Sequence, residues 1–192
     1  MPQTSQSPSQ IAKIREAQKA LDFTMPSDDR VGKLLRTLVR SKPGGSILEL
    51  GTGMGLSLAW MVSGMDPAAT IVSVDNDKRY FDFASGLFPD DDRVEVICAD
   101  GGEWIENYAG PGFDLVFADT WAGKYTHLEE TLSILRSAAI YIIDDMLPQK
   151  NWPEGHEAKA RKLTETLLTR ADLDVCQLDW ASGVMLCTKR PD

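Results

Sequence analysis

The sequence predicts an α/β fold: a doubly wound, seven-stranded sheet, mostly parallel, with helices on both faces and a C-terminal antiparallel hairpin. Three observations predict it. Apolar, β-rich runs recur along the chain with helix-patterned segments between them. Runs such as IVSV, DLVFA and IYII are nearly continuous in apolar residues, as strands covered by helices on both faces must be, whereas a half-exposed antiparallel strand would alternate. At 192 residues the chain matches one domain that can bury a core without disulfide or metal staples.

The elements follow in order. Residues 1–10 are rich in Pro, Ser and Gln and read as a flexible tail, leaving 11–192 as a single domain. Ile11–Leu21 and Ser27–Arg40 carry helical patterning. Ser27 is the expected N-cap of the second, with Asp28 and Asp29 in its first turn, and Lys42-Pro43-Gly44-Gly45 stops it. Residues 11–45 then form a helical lid over a core of 46–192. Strands are expected at Ile47–Leu50, Thr70–Val74, Arg93–Cys98, Phe113–Ala118 and Ala138–Ile143. Leu173–Asp179 and Val184–Lys189 stand too close for a crossover helix and form the hairpin. A two-residue turn at Ala181-Ser182 would set Cys176 opposite Cys187.

Composition narrows the function classes. There is no apolar run of about 18 residues or more and no basic-then-apolar leader, so the chain reads as cytoplasmic, without a membrane partner. Cys98, Cys176 and Cys187 lie in apolar β-like runs without C-x-x-C spacing, which favours reduced core thiols over a disulfide framework or zinc site. A net charge of −9 argues against a nucleic-acid partner. The charge is uneven: residues 1–45 carry eight Lys or Arg against four Asp or Glu, a net of +4, which leaves −13 on the remainder. Ile11–Leu21 could pack on a second copy, so a homodimer is the expectation for assembly.

SILELGTGMGLSLAW, from Ser46 to Trp60, runs from a strand through three glycines into a helix. A dinucleotide fingerprint needs a small residue five positions after the first glycine, and that position is Leu56. The pattern is instead E-x-G-x-G-x-G, from Glu49 through Gly51, Thr52 and Gly53 to Gly55, which resembles motif I of class I S-adenosylmethionine-dependent methyltransferases. Such a loop turns tightly enough to bring an adenosyl ligand against the main chain. The resemblance implies a Rossmann-like sheet and S-adenosyl-L-methionine as cofactor. It also implies that Asp75, followed by Asn76, holds the ribose, that Asp100-Gly101 meets the adenine, and that Ser57 holds the methionine carboxylate. Each segment ends a successive strand, so all converge on one rim of the sheet.

FADTWAGKY and IYIIDDMLPQ place Asp119, Asp144 and Asp145 at the ends of neighbouring strands. Carboxylates that close repel unless a cation or a donor sits among them, and Mg²⁺ takes oxygen ligands of this kind. The arrangement resembles the small cation-dependent O-methyltransferases, the catechol and caffeoyl-CoA group. The resemblance implies metal ligands at Asp119, Asp144 and Asp145, with Trp121 beside the adenine and Asp119 near the cofactor. Two positions depart from the family pattern. Ala122 stands where the catalytic lysine is usual, with Lys124 two residues later, and Asp145 replaces a ligand asparagine.

Lys124 and His156 are the candidate bases, with Asp144 the third catalytic candidate. His156 follows a loop with Pro148, Trp152 and Pro153 that faces substrate in this reading, whereas His127 reads as part of a helix. The function expected is O-methylation of a small-molecule hydroxyl, with a divalent cation assisting. The alternatives are a metal-independent N- or O-methyltransferase and a non-catalytic cofactor-binding module, with aminopropyl transfer a further option.

Overall fold

The computed structural model describes residues 7–149 and 152–191. The first six residues of the expected tail, and Lys150 and Asn151 of the proline-flanked loop, lie outside these ranges. In chain order the elements are α1 (Ile11–Ala20), α2 (Asp29–Arg40), β1 (Ser46–Leu50), α3 (Leu56–Val62), β2 (Thr70–Asp75), α4 (Lys78–Ala84) and β3 (Val94–Cys98). There follow α5 (Gly101–Glu106), β4 (Phe113–Ala118), α6 (Leu128–Ser133), β5 (Leu135–Ile143), α7 (His156–Leu168), β6 (Leu173–Leu178) and β7 (Val184–Lys189).

The seven strands form one sheet in the order β3-β2-β1-β4-β5-β7-β6. β1 to β5 are parallel, and β7 runs antiparallel to both β5 and β6. The order reverses between β1 and β4, and the crevice outside the carboxyl ends of those strands is where open α/β sheets receive ligands. Strand pleating divides the core in two. Leu48, Leu50, Val116, Tyr141 and Ile143 face α5, α6 and α7, while Ile47, Leu115, Phe117 and Ile142 face α2 and α3. Among the described residues, no helix is long and apolar enough to cross a membrane.

Four expectations are corrected. The N-cap of α2 is Asp28, whose carboxylate accepts from Arg30 N at 2.7 Å. The Ser27 hydroxyl instead donates to Asp119 Oδ2, 3.1 Å away. α2 is no lid: Val31, Leu35 and Val39 recur at four-residue spacing and bury their stripe in the core, leaving α1 and residues 23–27 over the site.

The hairpin turn is longer than two residues. Asp179–Gly183 join the strands, with Ala181 (φ 57°) and Gly183 (φ 84°) in left-handed conformations. The register therefore pairs Cys176 with Leu186 and Val175 with Cys187, and the one-residue shift sends the two thiols to opposite faces. All three cysteines are free, yet only Cys187 is buried. β3 and β6 are the outermost strands, so Cys98 and Cys176 lack the double cover that central strands receive.

Candidate active site

The glycine loop leaves β1 in a conformation that needs its glycines. Gly51, Gly53 and Gly55 have φ of 100°, 48° and 77°, and Gly55 caps α3. A Cβ on Gly51 would stand 2.8 Å from the Asp119 carbonyl oxygen, and one on Gly53 would stand 3.0 Å from the Phe23 ring. The loop is thus pressed between the end of β4 and the segment after α1.

Asp75, at the end of β2, fixes the loop from the side. Its Oδ2 accepts from Gly53 N and its Oδ1 from Asp77 N, both at 2.8 Å. Asp100, after β3, caps α5 by accepting from Gly102 N at 2.9 Å and Glu103 N at 3.0 Å. Glu49 lies beneath the loop, outside the cavities described below. It is fully buried, accepts from Ser73 Oγ, and has its other carboxyl oxygen without a partner. Burial pushes its carboxyl up to about 8, against the Ser57 and Ser73 hydroxyls, which pull the other way.

Two cavities meet at the switch point. The first, about 410 Å³, is lined by Thr52, Gly53, Ser57, Asp75, Asn76 and Tyr80, with Gln18 and Phe23 from the N-terminal side. A smaller recess of about 270 Å³ continues it along Asn76, Asp100, Gly101, Trp121 and His127. The second cavity, about 770 Å³, is walled by Trp121, Lys124, Tyr125, Trp152 and His156. Met25, Pro26, Asp119, Thr120 and Asp145 line both large cavities and form the seam between them.

The seam is acidic and enclosed. Burial, and then the charge of Asp144, holds the Asp119 carboxyl well above the usual range, with Lys124 opposing. Burial and the Asp145 charge push Asp144 up to about 6. Burial also raises Asp145, again opposed by Lys124. Asp144 is turned away from both cavities: it is 1% exposed, and its Oδ1 accepts from Asp145 N at 2.8 Å and from the Ser182 hydroxyl. Asp145 takes a left-handed backbone, φ 55°, which aspartate tolerates better than most residues and which turns the chain at the seam. Lys124 is buried and donates to the Asp144 carbonyl oxygen at 2.6 Å.

His156 opens α7 and stands among aromatic rings, with centroids 4.5 Å from Trp152, 5.1 Å from Tyr125 and 5.9 Å from Trp121. Its Nε2 lies 3.1 Å from the Tyr125 hydroxyl, and its Nδ1 is buried without a partner. Desolvation lowers its pKa, so the ring is neutral at pH 7. Burial pushes Tyr125 up to about 12, which keeps its hydroxyl protonated. His127 caps α6 in a left-handed conformation, 3.1 Å from Glu106, and is not a member of the helix body.

The structure brings together Thr52, Gly53, Ser57, Asp75 and Asn76 in the first cavity and Asp100, Gly101 and Trp121 in its extension. Lys124 and His156 come together in the second, while Glu49 and Asp144 sit behind the walls. Gln18, Phe23, Ser27, Tyr80, Thr120 and Tyr125 were not legible in the sequence. Tyr125 and Thr120 had a signal, their places beside Lys124 and between Asp119 and Trp121; the others reach the site through tertiary packing.

The first cavity fits an adenosyl cofactor with a charged amino-acid tail. The loop is a cradle that side chains on its glycines would fill, and Gln18, 7% exposed, lines it with its Nε2 unpartnered. The carboxylates at the seam do not fit a divalent cation. Among the described residues no group of three or more His, Cys, Asp or Glu is arranged to hold a metal ion. The physical reason is the inward turn of Asp144 and the lysine that the cluster already contains.

Known proteins agree with this geometry. A family model described as O-methyltransferase matches residues 3–190. A Mycobacterium leprae protein named "Putative O-methyltransferase" is 29% identical over 118 residues, 59% of this chain and 53% of that protein. The chain's match thus spans about half the length of this curated relative. An O-methyltransferase from Bacillus cereus, solved with SAH, superposes with a TM-score of 0.83 at 21% identity, covering 98% of this chain and 94% of the other. An O-methyltransferase from Streptomyces achromogenes, solved with SAM, gives 0.81 at 21% identity, with 97% and 92% covered. The fold is therefore the Rossmann-like fold of these enzymes, and the chain belongs to the O-methyltransferase family.

Proposed function

We propose that the protein transfers a methyl group from S-adenosyl-L-methionine to a hydroxyl of a small, planar acceptor. The observation that carries this reading is the seam: a cradle for an adenosyl ligand and an aromatic-walled cavity share Asp119, Thr120 and Asp145. A donor in one and an acceptor in the other would meet there.

The cofactor, when bound, supplies a methyl group already activated by its sulfonium. The chain's residues then have three tasks: to hold the cofactor, to orient the acceptor and to receive a proton. Asp75 and the loop amides support the first, joined by Ser57 and Gln18 at the far end of the cradle. Trp121, Trp152 and Tyr125 support the second, since flat rings favour a flat acceptor. For the third, we assign the proton to Asp145, a carboxylate that lines both cavities. His156 is a positioning residue, because its Nε2 faces Tyr125 and its Nδ1 is enclosed. Asp144 positions Asp145 through the backbone N–H it accepts.

The acidic seam and net charge of −9 support a small-molecule acceptor rather than nucleic acid. Three free cysteines support a cytoplasmic location. A homodimer, the assembly expected from α1, is kept as part of the proposal. The test is incubation with S-adenosylmethionine and a panel of catechols and simple phenols, following S-adenosylhomocysteine and the methyl ether by mass spectrometry. Formation of both in equal amounts supports the reading. Cofactor binding without product for any hydroxyl acceptor favours the binding-module alternative.

A further inference from the structure

Two carboxylates at the seam, Asp119 and Asp145, and that of Asp144 behind it stand at the ends of adjacent strands, a place that calls for positive charge. Each of Asp119, Asp144 and Asp145 is raised by burial, and Lys124 is the attractive charge that acts on all three. Lys124 is 5% exposed and anchored by its 2.6 Å bond to the Asp144 carbonyl, on the same residue whose carboxylate is turned inward. Asp144 Oδ1 is saturated by Asp145 N and Ser182, and Asp119 Oδ2 is engaged by Ser27. A divalent cation would need several of these oxygens free and convergent.

Resting on the methyltransferase reading above, we infer that Lys124 is the resident cation of this site: its ammonium occupies the electrostatic place of a divalent metal among Asp119, Asp144 and Asp145. The two departures seen in the sequence become one device. Moving the lysine two residues along the loop carries it to the Asp144 carbonyl, and an aspartate at 145 in place of a neutral amide balances the charge that arrives. In the transfer step the C–S bond breaks as the new O–CH₃ bond forms. The electron pair stays on sulfur, the acceptor proton passes to the Asp145 carboxylate, and the site charge is balanced without a metal.

The test is Mn²⁺ binding, read by electron paramagnetic resonance on the full chain, with S-adenosylhomocysteine binding measured by calorimetry on the same samples. The wild type is expected to bind no Mn²⁺ at about 1 mM, free or with S-adenosylhomocysteine, and to melt at the same temperature in EDTA as in MgCl₂. Lys124→Gln, which removes the charge, shortens the side chain by one atom and releases the Asp144 carbonyl, lets the Asp144 carboxylate turn toward Asp119 and Asp145 and is expected to bind one Mn²⁺ at least about tenfold more tightly. Should Lys124→Gln not fold in buffer, Mn²⁺ must restore its native circular dichroism. A wild type that binds one Mn²⁺ and loses it in Asp145→Asn overturns the inference, as does a Lys124→Gln protein that Mn²⁺ neither binds nor rescues. Failure of S-adenosylhomocysteine to bind the wild type overturns the methyltransferase reading instead, whatever the metal result.

Discussion

Asp75 Oδ2 accepts from the backbone N–H of Gly53 at 2.8 Å, so the end of β2 holds the loop that follows β1. One carboxylate thereby braces the cradle and presents itself to whatever the cradle holds. Asp75→Ala removes both functions. S-adenosylhomocysteine affinity is expected to fall by about 10- to 100-fold, the scale of a lost hydrogen bond to a charged group. Calorimetry reads it directly, and a protein with unchanged Kd would place the ribose elsewhere.

Glu49 makes stability depend on pH. Its carboxyl is raised to about 8 in the folded chain by burial, from an ordinary value of 4.5. The folded state therefore holds a proton that the unfolded state has released over that interval. The contribution is complete below about 4.5 and is lost as pH rises through about 8. Its ceiling is on the order of 5 kcal/mol. Urea denaturation between pH 5 and 9 is expected to show the wild type weakening as pH rises and Glu49→Gln losing most of that slope. Parallel curves would mean that Glu49 is ionised in the folded protein.

Asp145 and His156 separate by kinetic signature. Asp145→Asn is expected to lower kcat by about 100-fold or more, the usual worth of a positioned base, with cofactor binding intact. His156→Ala is expected to raise KM for the acceptor more than it lowers kcat, because the ring braces Trp152 and Tyr125. Steady-state kinetics on the two variants decides the assignment, and a reversed pattern would make His156 the base.

Packing between α2 and α3 leaves no room for a methyl group. A Cβ on Gly32 would lie 2.1 Å from the Trp60 ring, which is 1% exposed and has the Arg36 guanidinium 4.9 Å from its centroid. Gly32→Ala is expected to cost about 1–3 kcal/mol through overpacking, despite a better helix propensity. Thermal unfolding measures the balance, and an unchanged or raised melting temperature would show that Trp60 yields.

The sheet was legible because a parallel strand covered on both sides must be largely apolar, and the central stretches of β1, β2, β4 and β5 are. The cradle was legible because its glycines obey local geometry: a left-handed backbone at residues 51, 53 and 55 is written in residue type. Register was not. A hairpin with five linking residues and one with two differ by a one-residue slip that no pattern on exposed β6 resists, and Cys176 and Cys187 part on that account. Asp28 rather than Ser27 caps α2 because Ser27 is drawn to Asp119, 92 positions away in the chain, a pull no local motif records. The inward turn of Asp144 is of the same kind, set by Ser182 from the far hairpin.

The most direct test of the methyltransferase account is calorimetric titration of S-adenosylhomocysteine into the wild type and Asp75→Ala, with NAD as the control ligand. The account predicts saturable one-site binding of S-adenosylhomocysteine to the wild type, weakened by about tenfold or more in the variant, and no binding of NAD. Binding of NAD, or an equal Kd for S-adenosylhomocysteine in both proteins, would contradict it.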